Sequence, residues 1–310
     1  MYQPKVYRDS GGDRQVVAAG GILRMEPGSM VQYANPTGAA DYYVDGNVSA
    51  TGSGSIDSPY STLAEAIAAS NISIALAANR WWARRNRIFV MGDRLVEDLD
   101  TWPTKCDIVG VGSCDAMPKA GLRGNHVPTG EHYGTRWINF QFEPTTTAED
   151  LFVLTDEGAG TEFHYCNFIG VWAAITVASA IDATAHAMLR VANCDFKGAF
   201  SANYIDFGPG DVSGTRILNN IMMGSALNGI MVTGATTTAG FSSLGVIDGN
   251  TIYCPGVTIN DGDDDSFIIT KNILISDAAT GTDSLNIDTR WAGGNWYTDA
   301  TKSGNYPVTA

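Results

Sequence analysis

The stretch NDGDDDS at 260–266 sets Asp261, Asp263, Asp264 and Asp265 close together. Oxygen ligands at alternating positions, here Asp261, Asp263 and Asp265, suit Ca2+, which makes calcium the one candidate cofactor. Two carboxyl groups flanking a glycosidic bond would instead cleave it, one as acid and the other as base or nucleophile. The histidines His126, His132, His164 and His186 all lie far from this cluster in sequence. A solvated turn between structural units is the reading favoured here, and no catalytic residue is assigned.

Two further stretches could bind rather than react. RWWARRNR combines Arg80, Arg84, Arg85 and Arg87 with Trp81 and Trp82, a set able to stack on bases or grip an acidic partner. The favoured role is structural, with the tryptophans sealing a core and the arginines facing water or the chain's own acids. Trp291 and Trp296 in RWAGGNWY could stack sugars, and closing the end of a fold is the favoured alternative. Cys106, Cys114, Cys166, Cys194 and Cys254 are odd in number and show no metal-ligand spacing, which predicts buried free thiols in a reducing compartment.

These residues need a scaffold, and composition bounds it. The chain has 310 residues, 35 of them glycine, with only 17% charged, the profile of a β protein that turns often. Nineteen Lys plus Arg against 33 Asp plus Glu leave a net charge of -14, which opposes nucleic-acid binding. No apolar run spans a bilayer and MYQPKVYRDSGGDR lacks a secretion-signal core, so synthesis in a cytoplasm without membrane insertion is expected.

Apolar pieces within residues 1–40 are short and broken by glycine, as at Val16-Val17 and Ile22-Leu23. Alone they gain little, so this arm is expected to pack on a partner. Residues 41–80 hold a Gly/Ser linker and then a helix in STLAEAIAAS, capped by Ser61 or Thr62, with Leu63, Ala66, Ile67 and Ile74 on one face. From Ile88 the period becomes 2. Asn or Asp recurs at Asn167, Asp195, Asn220, Asn250 and Asn272, and an apolar ladder at Ile175, Ile205, Ile230, Val257 and Leu285. A repeat of roughly 22–30 residues without helix predicts an all-β solenoid whose coils bury one another's faces, through stacks such as Phe168, Phe196 and Ile221. The helix would then cover the solenoid's open first edge.

The run DGNVSATGSGSIDSPYSTLAEAIAAS, followed by Ile88, Val90, Gly92 and then Ile108, Gly110, Gly112, resembles the entry to right-handed parallel β-helix proteins of the pectin-lyase-like superfamily. The resemblance implies a right-handed β-helix over 81–296 and a C-terminal tail at 297–310. The fold hosts lyases, glycosidases, esterases and noncatalytic phage proteins. NDGDDDS is superficially similar to the paired aspartates of polygalacturonases, but no Gly-His-Gly or Arg-x-Lys follows. The arm VYRDSGGDRQVVAAGGILRMEPGSMVQ resembles segments of phage head fibre and decoration proteins.

That resemblance implies a structural homotrimer on the virion's capsid surface. It would be anchored to a major capsid or other virion protein through Tyr7, Arg8, Arg14, Val16, Val17, Ile22 and Leu23. A tailspike-like protein that binds or cleaves host surface polysaccharide, and a noncatalytic glycan-binding module, are the alternatives. Two carboxylates within roughly 5–10 Å in an exposed groove would favour cleavage, and scattered acids the structural role.

Overall fold

The computed structural model describes residues 6–8, 15–17 and 39–305, apart from 77–84, 113–118, 156–157, 184–185, 209, 212, 233–234, 237–244, 257, 262–266, 277–284, 288–291 and 299–302. The chain divides into two compact units, Met1–Asn35 and Pro36–Ala310. In the first, Val6–Arg8 and Gln15–Val17 pair antiparallel, with Tyr7 opposite Val16.

The second unit is a parallel β-solenoid with one helix among the described residues. Its first sheet has ten strands, from Asp41–Asp45 to Ala292–Gly293. The second also has ten, from Leu95–Val96 through Trp296–Thr298, with Ser303–Asn305 added antiparallel at the end. The third has six, from Phe152–Val153 to Leu285–Ile287.

Alternation sends every second side chain inward, where like residues stack rung on rung. Ile88, Ile108, Trp137, Phe163, Val191, Ile217, Ile247 and Ile269 form the inner column of the first sheet. Leu122, Phe142, Phe168, Phe196, Met222, Ile252 and Leu274 do so in the second. Met222, not Ile221, continues the phenylalanine stack, and Ile221 faces out. The third sheet stacks Phe152, Ile181, Ile205, Ile230 and Ile259, with Leu285 next in register. The expected apolar ladder is therefore in register at Ile205, Ile230 and Leu285 but wrong at Ile175, and Val257 lies outside the described residues. Ile175 belongs to a small antiparallel hairpin, Val171–Trp172 with Ile175–Thr176, which adds residues before the coil resumes at Ile181.

The Asn ladder is likewise displaced in its first half. The backbone N–H of Asn220 donates to Asn250 Oδ1, that of Asn250 to Asn272 Oδ1 and that of Asn272 to Asn295 Oδ1, each at 2.9 Å. Below them the slot is filled by Cys194 and Cys166, not by Asp195 and Asn167. Cys194 N–H donates to Asn220 Oδ1 at 2.9 Å, and Cys166 N–H to Cys194 Sγ at 3.4 Å. Each Asn amide also donates back to a carbonyl in the coil directly below, as Asn220 Nδ2 does to Val191 O, and Cys194 Sγ repeats this with Phe163 O. The thiols are thus buried free groups standing in for amides. Burial pushes the Cys106 thiol up to about 12 and Cys194 well above its usual range, so neither is a nucleophile.

Asn193, Asn219, Gly249, Lys271 and Gly294, each just before a ladder residue, all have positive φ. The left-handed residue turns the chain sharply between sheets, and the following amide holds that bend against its conformational cost.

The helix Leu63–Ala75 starts at Thr62, whose Oγ1 accepts from Glu65 N–H while Glu65 Oε2 accepts from Thr62 N–H, both at 3.3 Å. Leu63, Ala66 and Ile67 enter the solenoid core. The open edge of Asp41–Asp45 is met differently from the expectation, since residues 54–60 and not the helix pair with it. Tyr43 N–H donates to Gly54 O, Tyr60 N–H to Tyr43 O and Asp45 N–H to Tyr60 O, at 2.9–3.0 Å. Gly54 has φ +79° and lies against the Tyr60 ring, so no side chain fits there. This is why a Gly/Ser loop precedes the helix. It supplies backbone partners for the edge, and the helix plugs the end of the core.

Glu97, at the end of the first strand of the second sheet, accepts from Leu63 N–H at 2.8 Å and Ala64 N–H at 3.0 Å. Two orphan donors and the positive end of the helix dipole meet one carboxylate. Burial pushes its carboxyl upward, and the two N–H donors oppose that. Glu97→Ala is expected to cost about 1–2 kcal/mol, read as a lowered urea midpoint.

Candidate functional site

The outer column of the third sheet runs Val153, Asp182, Asp206 and Met231 on successive rungs. Asp182 and Asp206 are therefore direct neighbours across one ~4.8 Å rung. Burial raises the pKa of Asp206, with the Asp182 charge adding to it, while Asn203 Nδ2 donates to its Oδ2 at 2.8 Å and opposes the shift. Asn203 is held in turn by Asn228 Nδ2 at 3.1 Å. Asp150 accepts from Ser179 N–H at 2.6 Å, and its pKa is raised by burial, with smaller contributions from Asp182 and Asp206.

Partly buried carboxyls that repel one another take up a proton more readily, and a protonated acid beside an ionised one is the minimum for acid–base cleavage of a glycoside. This pairing was not anticipated. The usable signal was Ile-Asp repeated at Ile181-Asp182 and Ile205-Asp206, one coil apart.

The residues singled out by sequence do not gather around this pair. Asp261 ends the strand Ile259–Asp261, while Asp263, Asp264 and Asp265 lie outside the described residues. Among the described residues no group of three or more His, Cys, Asp or Glu is placed to hold a metal ion. His126 is buried against the Phe152 ring, with Nδ1 accepting from Leu99 N–H at 3.2 Å. His132 and His186 stack at 5.6 Å inside the core, and His186 bonds Thr155 O and Thr161 Oγ1, both at 3.0 Å. His164 meets Glu162 at 2.8 Å, and Glu162 is pushed down to about 2 by that hydrogen bond and by Arg136.

Arg87 forms a two-pronged bond to Asp41 at 2.8 Å, and Arg85 reaches Asp107 at 2.7 Å, so both face the chain's own acids. Arg87 belongs to an outward column on the first sheet that alternates in sign from Asp41 to Arg190, namely Asp41, Arg87, Asp107, Arg136, Glu162 and Arg190. Arg80, Trp81, Trp82, Arg84, Cys114 and Trp291 lie outside the described residues, and Trp296 stands exposed on the second sheet. In the N-terminal unit Tyr7, Arg8, Val16 and Val17 fall on the paired strands, whereas Arg14, Ile22 and Leu23 lie outside the described residues. No described helix is long and apolar enough to cross a membrane.

No family model matches the chain, and no curated protein matches it. Among solved structures it is similar to ORF18 of Geobacillus virus E2, with 10% identity and a TM-score of 0.33 over 75% of this chain. The match spans 57% of that protein's length.

Proposed function

We propose that the chain is a structural component of a phage virion, anchored through residues 1–40 and projecting its solenoid. The observation that carries this reading is the division of the chain into a small N-terminal unit, Met1–Asn35, and a solenoid whose first edge is bonded by its own residues 54–60 and plugged by its own helix. Every described residue of the solenoid core lies in the second unit, and the arm's apolar pieces are read as the part that meets a capsid or other virion protein. The resemblances of the arm to phage decoration proteins and of the solenoid entry to the pectin-lyase-like superfamily support the same reading.

The neighbouring Asp182 and Asp206 favour a second reading, a tailspike-like body acting on host polysaccharide. One experiment separates the two. Full-length chain and a chain lacking residues 1–40 are added to particles without this component, and retention is measured by sedimentation. The truncated chain is expected to fold but not to be retained, and equal retention would overturn the anchoring role. Release of reducing sugar from host polysaccharide, abolished by Asp206→Asn, would put the second reading first.

A further inference from the structure

The outer face of the second sheet changes character along the solenoid. Two outward columns run up it, Asp195, Ile221, Thr251, Ile273 and Trp296 in one, and Lys197, Met223, Tyr253 and Ile275 in the other. The lowest of these rungs carries the Asp195–Lys197 ion pair at 3.1 Å. The three rungs above it, at 221–223, 251–253 and 273–275, hold no charged residue, and Trp296 tops them. Ile221 is 51% exposed, Met223 51%, Ile273 45% and Trp296 46%. At typical side-chain areas of ~150–250 Å2 these four alone expose roughly 400 Å2 of apolar surface, the size of patch that marks an interaction site.

We infer that this face is where copies of the chain associate side by side, with their solenoid axes parallel. Three features select a second copy as the occupant. A chain of net charge -14 repels its copies, and this face is a place where two can meet without carboxylates opposing each other. A rotation axis parallel to the solenoid, twofold or threefold, keeps equal rungs at equal height and brings one column of each copy to the other column of the next. Asp195 then meets Lys197 of the neighbour, Ile221 meets Met223, Thr251 meets Tyr253 and Ile273 meets Ile275, so charges are complementary and the small Thr251 is opposed by the large Tyr253. The exposed area of the four residues, with the partly buried Thr251, Tyr253 and Ile275 beside them, comes to roughly 500–600 Å2 per partner, the lower end of the range for specific interfaces.

The test is the mass of the full-length chain in solution by sedimentation equilibrium. Wild type is expected as a dimer or trimer. Ile273→Lys should weaken association tenfold or more while the far-UV spectrum is unchanged, since Ile273 supports no core contact. Asp195→Lys and Lys197→Asp should each weaken association alone, and the two variants mixed should associate more tightly than either by itself. That last outcome cannot come from the ion pair within one chain, which both variants lack. A monomeric wild type, association unmoved by Ile273→Lys, or no gain on mixing would each overturn the inference. None of these results bears on the anchoring role of residues 1–40, which particle retention reads separately.

Discussion

Asn250→Ala is expected to lower the stability of the solenoid by on the order of 4 kcal/mol, because a single buried amide there serves three coils. Its Oδ1 accepts from both Asn220 N–H and Asn220 Nδ2 at 2.9 Å, and its Nδ2 donates to Ile217 O and Asn272 Oδ1, also at 2.9 Å. The side chain is fully buried, so water cannot replace these partners once it is gone. Each stranded group costs about 1–3 kcal/mol. Asn295, at the end of the described ladder, accepts from Asn272 and donates to Ile269 O. Among the described residues no further ladder amide lies beyond it, and Asn295→Ala should cost less. Urea midpoints of the two variants check this, and equal, small shifts would show that the ladder does not carry the coils.

Acid should unfold the body well above the range where most carboxylates titrate. Burial holds His126 at about 3 and His186 at about 4, against ~6.5 for a free histidine. The folded chain therefore refuses protons that the unfolded chain accepts, so this stability is complete above pH ~6.5 and drains away as pH falls toward 4. At pH 4.5 two such groups forfeit about 5 kcal/mol, at ~1.4 kcal/mol per unit each. Glu97, Asp150 and Asp206 act in the opposite sense. Their raised pKa values mean that the fold favours the protonated acid, so a cost borne at neutral pH is relieved on acidification. Glu162, held near 2, adds a further loss below pH ~4.5. The net expectation is a urea midpoint that falls steeply between pH 7 and 4.5. A flat profile would mean that the core admits charged imidazole.

The solenoid was legible in the sequence because its period is written in residue types that only a stacked coil would repeat. Thr62, Glu65 and the Leu63/Ala66/Ile67 face announced the helix for the same reason, since a capping box and an apolar stripe are local signals. What could not be read was register. Asn167 and Asp195 look like ladder members beside Asn220, yet the slot belongs to Cys166 and Cys194, whose thiols make the amide's bonds without its letter. One residue of slip exchanges inside for outside, and it carried Ile221 into the expected core as well. The Asp182–Asp206 pair stayed hidden on the same account. The two acids are neighbours only through coil stacking, and the ladder read from the sequence puts the hairpin residue Ile175 in the slot that Ile181 fills, which leaves Asp182 without its neighbour.

Because each rung is bonded only to the one above and the one below, the length of the body is a matter of counting. Removing residues 250–271 would join Gly249 directly to Asn272, leaving a left-handed residue before a ladder amide and Asn220 facing Asn272 in place of Asn250. Such a chain loses one layer of ~4.8 Å and nothing of the pattern. The body can therefore lengthen or shorten in whole steps by gain or loss of a coil, while the helix-plugged first end stays as it is.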